Sequence, residues 1–246
     1  KIWMDEAEEH DLDGKALDER WNRWHTCGLC KQQYHGVVWC ALGWACWKTY
    51  VGRPEDDWAR RLAMSVLGNG LSDAKHDEEA LSVQEAELAM KRRLGVPVEQ
   101  MLVAQANLAI TYENLGRLEE ALRLKRDVYT GFSRVFGEEH ANTLQAANNY
   151  AWGLLGARRF EEAKAFMRKM LPVARRVSGD DDENTLRMRW NYADALYLDT
   201  DATLDGLREA VTTLEGTERT ARRVFGGAHP MTTGIELCLG EARATL

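Results

Sequence analysis

The chain has 246 residues, 45% of them hydrophobic and 29% charged, with four prolines and a formal net charge of −7. That apolar fraction excludes wholesale disorder, the scarcity of proline favours helices, and the acidic balance argues against broad attraction to nucleic acid or an anionic membrane. The longest apolar run, Val37 to Trp47 with Gly43 inside it, falls far short of the roughly 20 residues that span a bilayer, so no transmembrane helix is predicted.

The chain begins at Lys1, not methionine, which leads to the expectation of a processed form or a fragment. Residues 1–26 read as an acidic leader, and DEAEEHDLDGKALDER at 5–20 predicts a solvated helix broken near Gly14. Residues 27–54 follow as a segment rich in cysteine and tryptophan. Of five cysteines, Cys27, Cys30, Cys40 and Cys46 cluster here, which points to a local site instead of a disulfide framework. CGLCKQQYHGVVWC fits Cys-x2-Cys-x4-His-x4-Cys, so Cys27, Cys30, His35 and Cys40 could hold zinc tetrahedrally. Zinc is the one cofactor this spacing suggests. The plainer alternative buries the four thiols as small reduced hydrophobes. An RNA-binding knuckle is not expected, because the glycines before His35 and the basic flanks are missing.

WNRWHTCGLCKQQYHG at 21–36 resembles the closing half of a RING-variant (RING-CH) finger. That resemblance uses only Cys27 and Cys30, and it implies that the remaining ligands, including a His-x2-Cys pair, precede Lys1 and that the whole finger recruits ubiquitin-conjugating enzymes. In VVWCALGWACWKTYVG, helical spacing puts Cys40, Trp44 and Trp47 on one face. The expectation is that this face covers the open end of the first repeat. Docking of Trp39, Trp44 or Trp47 on a partner or a membrane interface is the sharper alternative.

From residue 55 the chain repeats itself. An offset of 42 carries Asn107 to Asn149 to Asn191, Ala109 to Ala151 to Ala193, and Glu119, Glu120, Ala121 to Glu161, Glu162, Ala163. The units fall at about 58–95, 100–137, 142–179 and 184–226, with a terminal helix at 231–246. The spacing from Gly179 to Gly226 grows to 47, and DTDATLD at 199–205 is expected to absorb the insertion between the two helices of the fourth unit. Ala121, Leu124, Val128, Phe132 and Val135 advance by helical steps, and Gly137, Gly179 and Gly226 close such stripes where a left-handed residue is wanted. Alanines at 109, 121, 151 and 163 are packing positions. His140 and His229 read as loop caps.

NLAITYENLGRLEEAL at 107–122 resembles the tetratricopeptide pattern, and the Gly-x2-His loops at Gly137 to His140 and Gly226 to His229, with Pro230, resemble those of kinesin-light-chain-type repeats. The resemblance covers residues 58 to 240. It implies an all-α fold: a right-handed solenoid of about four helix pairs plus a terminal helix, preceded by the Cys/Trp-rich segment. It also implies that the first helix of each pair lines a concave, partner-binding side. On that pattern Asn107, Asn149 and Asn191 either grip an extended peptide backbone or tie neighbouring repeats together. Asn148, Trp152, Arg187, Trp190, Asp194 and Tyr197 complete the candidate surface, with Trp152 and Trp190 either recognition anchors or core. Arg187 is the one clear inward cation in this register, so a clamp for acidic chain ends is not expected.

No glycine-rich phosphate loop, nucleophile elbow or His-Glu-x-x-His pair occurs, and paired glutamates recur at equivalent repeat positions where they favour helix dipoles. The primary expectation is therefore a non-catalytic scaffold for a peptide or protein partner. Two alternatives stand beside it: the substrate-recognition part of a truncated RING-type ubiquitin ligase, and a structural subunit docked in a larger assembly.

Overall fold

A computed structural model describes residues 14–246, so the leader predicted at 5–20 lies mostly outside the described residues. The chain divides into two compact units, one ending at Arg117 and the other running Leu118–Leu246. The first contains α1 (Gly14–Trp21), a 3-10 turn (Asn22–Trp24), α2 (Gly36–Tyr50), α3 (Trp58–Asp73), α4 (Asp77–Leu94) and α5 (Val98–Asn114). The second contains α6 (Leu118–Phe136), α7 (Ala141–Gly156), α8 (Phe160–Ser178), α9 (Glu183–Tyr197), α10 (Leu204–Phe225) and α11 (Pro230–Thr245). No helix among the described residues is long and apolar enough to cross a membrane.

In the first unit each helix packs on the next from α2 to α5. Glycine sets how closely α2 approaches α3. A Cβ added at Gly43 would meet Leu67 Cα at 3.0 Å and Val66 O at 3.1 Å, and one added at Gly70 would meet Trp39 O at 2.9 Å and Cys40 Cα at 3.2 Å. The two backbones therefore touch at two points that tolerate no side chain. Around that seam, Cys46, Tyr50 and Trp47 pack with Trp21, Trp24, Trp58, Ala59, Ala63 and Val66, while Cys40 joins Leu67, Leu71, Ala80 and Val83.

This corrects the expected face of α2. Cys40 and Trp47 do turn inward, but Trp44 remains 43% exposed, with Val37 at 76% and Val38 at 52%. The buried face is centred on Gly43, and the next residue of an α-helix lies about 100° round from it. Below the seam, Glu87 and Lys91 form a buried ion pair at 2.6 Å, with Lys91 Nζ also donating to Gln100 O at 3.3 Å.

The second unit stacks successive helices, and α9 packs on α7 and α11 as well as on its sequence neighbours α8 and α10. Fully buried alanines at 147, 151, 163, 174, 193, 210, 221 and 242 let the helices approach, and Leu144, Met167, Met170, Leu186, Met188, Leu214 and Ile235 fill the remaining space. Each connection after a long helix has the same construction. Gly137, Gly179 and Gly226 take φ of 85°, 90° and 88°, and the next helix is capped by His140, Asp182 or His229. The two histidines accept a backbone N–H at Nδ1 (3.2 Å each) and stack on Phe136 and Phe225 with centroids 4.4 and 4.7 Å apart. The five extra residues of the fourth unit are not all in the loop. They divide between the connection at 198–203 and a longer α10, which has 22 residues against 19 in α6 and in α8. Lys164 Nζ ties that connection down through Asp199 at 2.9 Å.

Candidate functional site

The residues expected to meet a partner fall in both units. In the first, Asn107 is half-buried on α5 and lines a cavity of about 280 Å³ with Trp39, Asn69, Ser72, Gln84 and Ile110. Next to it, Asn114 Nδ2 donates to Ser72 Oγ at 3.4 Å and to Asp77 Oδ1 at 2.8 Å.

In the second unit the candidates lie on α7 and α9, and α11 repeats their register when each helix is counted from its cap. The ninth residue after the cap is Asn149, Asn191 and Cys238 in turn. Asn191 is buried, and its Nδ2 donates at 2.8 Å to Oδ1 of Asn148, itself buried on α7. These two side chains tie α9 to α7. Asn149 is more open and accepts a hydrogen bond from Gln145 Nε2 at 3.3 Å. Arg187 pairs with Glu183 one turn away, at 2.7 Å, on the solvent side.

Trp152, one turn beyond Asn148 on α7, is 50% exposed. Trp190 is half-buried and points the edge of its six-membered ring at Gly234 of α11, where an added Cβ would fall 2.4 Å from its Cη2. One turn further along α11, Leu237 is 71% exposed. Trp152, Trp190 and Leu237 thus give α7, α9 and α11 one large apolar side chain each.

Asp194 and Tyr197 are buried, at 5% and 7% exposure. Burial pushes the Asp194 carboxyl up to about 7, and the charge of Glu241 on α11 adds to the rise, while the polar hydrogens of Trp190 and Cys238 offset part of it. Tyr197 donates to Glu241 Oε2 at 3.1 Å, and burial raises its phenol too. Asp194 therefore belongs to the packing between α9 and α11. Leu237, Cys238 and Glu241 went unrecognised in the sequence because counting from Gly179 crosses the five-residue insertion; counting from the cap His229 recovers their register.

The structure does not bring Cys27, Cys30, His35 and Cys40 together. Cys27 and Cys30 lie together in one turn, but His35 sits 4.0 Å from Asp73 and Cys40 packs inside the first unit. No three of His, Cys, Asp and Glu gather as metal ligands among the described residues. The cause is local: Gly36 N–H is held by the Asp73 carboxylate and starts α2, which carries Cys40 away along a helix. Hydrogen bonds from the Cys30 and Leu29 backbone N–H groups bring the Cys27 thiol down to about 7. Burial raises Cys46 to about 12.

Residues 100–175 match the tetratricopeptide repeat family model. A comparison with curated proteins gives no match. Among solved structures, BtubC (BKLC) from P. vanneervenii aligns with a TM-score of 0.69 at 17% identity, over 85% of this chain and 83% of that one. A putative kinesin light chain from Podosopora anserina with nearly identical TPR-like repeats aligns with a TM-score of 0.59 at 19% identity, over 75% of this chain and 84% of its own. The apo form of RapI aligns at 0.55 and 14% identity, over 84% and 76%. The fold is accordingly all-α, built of tetratricopeptide-like helical repeats similar to those of kinesin-light-chain-like proteins.

Proposed function

We propose that the chain is a protein-interaction scaffold that binds a peptide or a segment of a partner protein over the α7, α9 and α11 face of its second unit. The observation that carries this reading is the exposure of Trp152 and Leu237, at 50% and 71%, on helices that flank Trp190. Large apolar side chains held in water by a rigid helical frame are typical anchors for recognition. Asn149 adds a donor and acceptor beside them. With Arg187 already paired to Glu183, the anchors favour an apolar or aromatic residue of the partner over an acidic terminus. The reading is one of binding without catalysis, and Glu119, Glu120, Glu161 and Glu162 serve as first-turn charges of α6 and α8.

The test is selection of binders from a random peptide library on the intact chain, followed by calorimetry with the enriched peptides. Trp152→Ala and Leu237→Ala are each expected to weaken those peptides by about tenfold or more while circular dichroism is unchanged. Peptides that bind the double variant as tightly as the parent would refute the assignment of this face.

A second reading, a subunit docked in a larger assembly, is favoured by the outer side of α2. Val37, Val38 and Trp44 are exposed there on a helix that is apolar on both faces, a pattern that water alone does not stabilise.

A further inference from the structure

The turn at Cys27 lies apart from the binding face just proposed and carries chemistry of its own. It is closed at its base by an antiparallel bridge between Thr26 and Gln33. Tyr34 N–H donates to His25 O at 2.8 Å, Cys27 N–H to Gln32 O at 2.8 Å and Lys31 N–H to Cys27 O at 3.0 Å. Lys31 adopts the left-handed conformation, φ 61°, which turns the chain back so that Cys27 and Cys30 stand at the two ends of one tight turn, the Cys30 thiol donating to Gln32 Oε1 at 3.9 Å. The first and fourth residues of a turn stand within about 7 Å at Cα, the range a disulfide bridges without backbone movement.

The exposure of Cys30 and the presence of a second cysteine in the same turn as the half-buried Cys27 distinguish this pair from the other thiols. Cys30 is exposed and Leu29 between the two is 95% exposed, whereas Cys46 is fully buried and Cys40 and Cys238 are half-buried without a second cysteine beside them among the described residues. A cleft of about 530 Å³ opens at the turn, lined by Glu19, Asn22, Arg23, Thr26, Cys27 and Lys31. The Arg23 guanidinium lies over Gly28, 3.1 Å from where a Cβ would stand. Arg23 and Lys31 give the cleft at Cys27 two cations against the one carboxylate of Glu19, a balance that suits an anionic co-reactant.

We propose that Cys27 and Cys30 form a reactive dithiol that a low-molecular-weight, anionic disulfide converts to an intrachain disulfide. One cysteine sulfur, its proton released to solvent, attacks the small disulfide, forming a mixed disulfide and expelling one small thiolate. The second sulfur, also deprotonated, then attacks the protein sulfur of that mixed bond and expels the other small thiolate. The protein loses two electrons and two protons. The small disulfide gains the two electrons and leaves as two thiols.

The test uses the full chain with glutathione disulfide as probe, with and without a chelator, followed by acid quench, alkylation and peptide mass spectrometry. The expected product is a Cys27–Cys30 peptide two hydrogens lighter than the dithiol, formed about tenfold or more faster than any adduct at Cys40, Cys46 or Cys238. Cys27→Ser and Cys30→Ser are each expected to stop at one glutathione on the remaining cysteine, with unchanged helical content. Three results would overturn the proposal: closure no faster than modification of Cys238, two glutathiones on the pair without ring closure, or thiols that react only after chelation and so serve a metal instead.

Discussion

Asp194 offers the sharpest quantitative check of the packing between α9 and α11. Its carboxyl titrates at about 7 in the folded chain against 3.8 ordinarily, so the native state keeps a proton that the unfolded chain has already lost. The sign follows directly: the raised value has no effect on stability below about pH 4, and from there to pH 7 the native state loses stability as pH rises. A shift of roughly three units at about 1.4 kcal/mol each sets a ceiling near 4 kcal/mol above pH 7, of which structural relaxation leaves about 2–4. Asp194→Asn keeps the shape and removes the charge. At pH 4, where little of the loss has set in, the variant and the parent are expected to melt within a few degrees of each other. At pH 8.5 the variant should be the more stable by about 2–4 kcal/mol, or about 5–10 °C in Tm for a chain of this size. Glu241→Gln should reproduce part of that gain, because its charge contributes to the rise. An Asp194→Asn effect of equal size at both pH values would refute the assignment, since a packing change alone carries no such dependence.

Other perturbations follow from the same geometry. Gly70→Ala drives a Cβ onto Trp39 O and Cys40 Cα and is expected to cost about 1–3 kcal/mol in urea unfolding; Gly240→Ala, with open space around it, should be neutral or stabilising by up to about 1 kcal/mol. Asn148→Ala leaves the buried Asn191 amide without its partner and should cost about 1–3 kcal/mol, whereas Asn149→Ala should leave the melting curve within about 0.5 kcal/mol of the parent. Trp44→Ser together with Val37→Ser should leave Tm within a few degrees while reducing binding of an apolar dye or self-association measured by light scattering.

The repeats were legible because three signals agree at each period: the apolar stripe, the closing glycine and the cap that follows it. Pattern reading was weaker where one residue controls a contact by lacking a side chain. The tryptophans of α2 drew attention to a Cys40, Trp44, Trp47 face, yet Gly43 decides which side meets α3. The four residues of the zinc spacing are not gathered in the structure, for a related reason. Ligand motifs count residues, but the backbone between Cys30 and Cys40 changes from turn to helix at Gly36, and the bond that begins the helix comes from Asp73, 37 positions away. The asparagines show a third limit: Asn148 and Asn191 differ from Asn149 in burial and partner, a distinction set by helix rotation that identical residue types cannot reveal. Leu237 was hidden by the insertion, which shifts the register of α11.

The glycine seam between α2 and α3 also bears on how this protein can change over evolutionary time. Because Gly43 and Gly70 set the spacing by bringing backbone to backbone, the outward residues of α2 carry little responsibility for holding the unit together. Val37, Val38 and Trp44 can therefore be exchanged while the contact between α2 and α3 keeps its spacing.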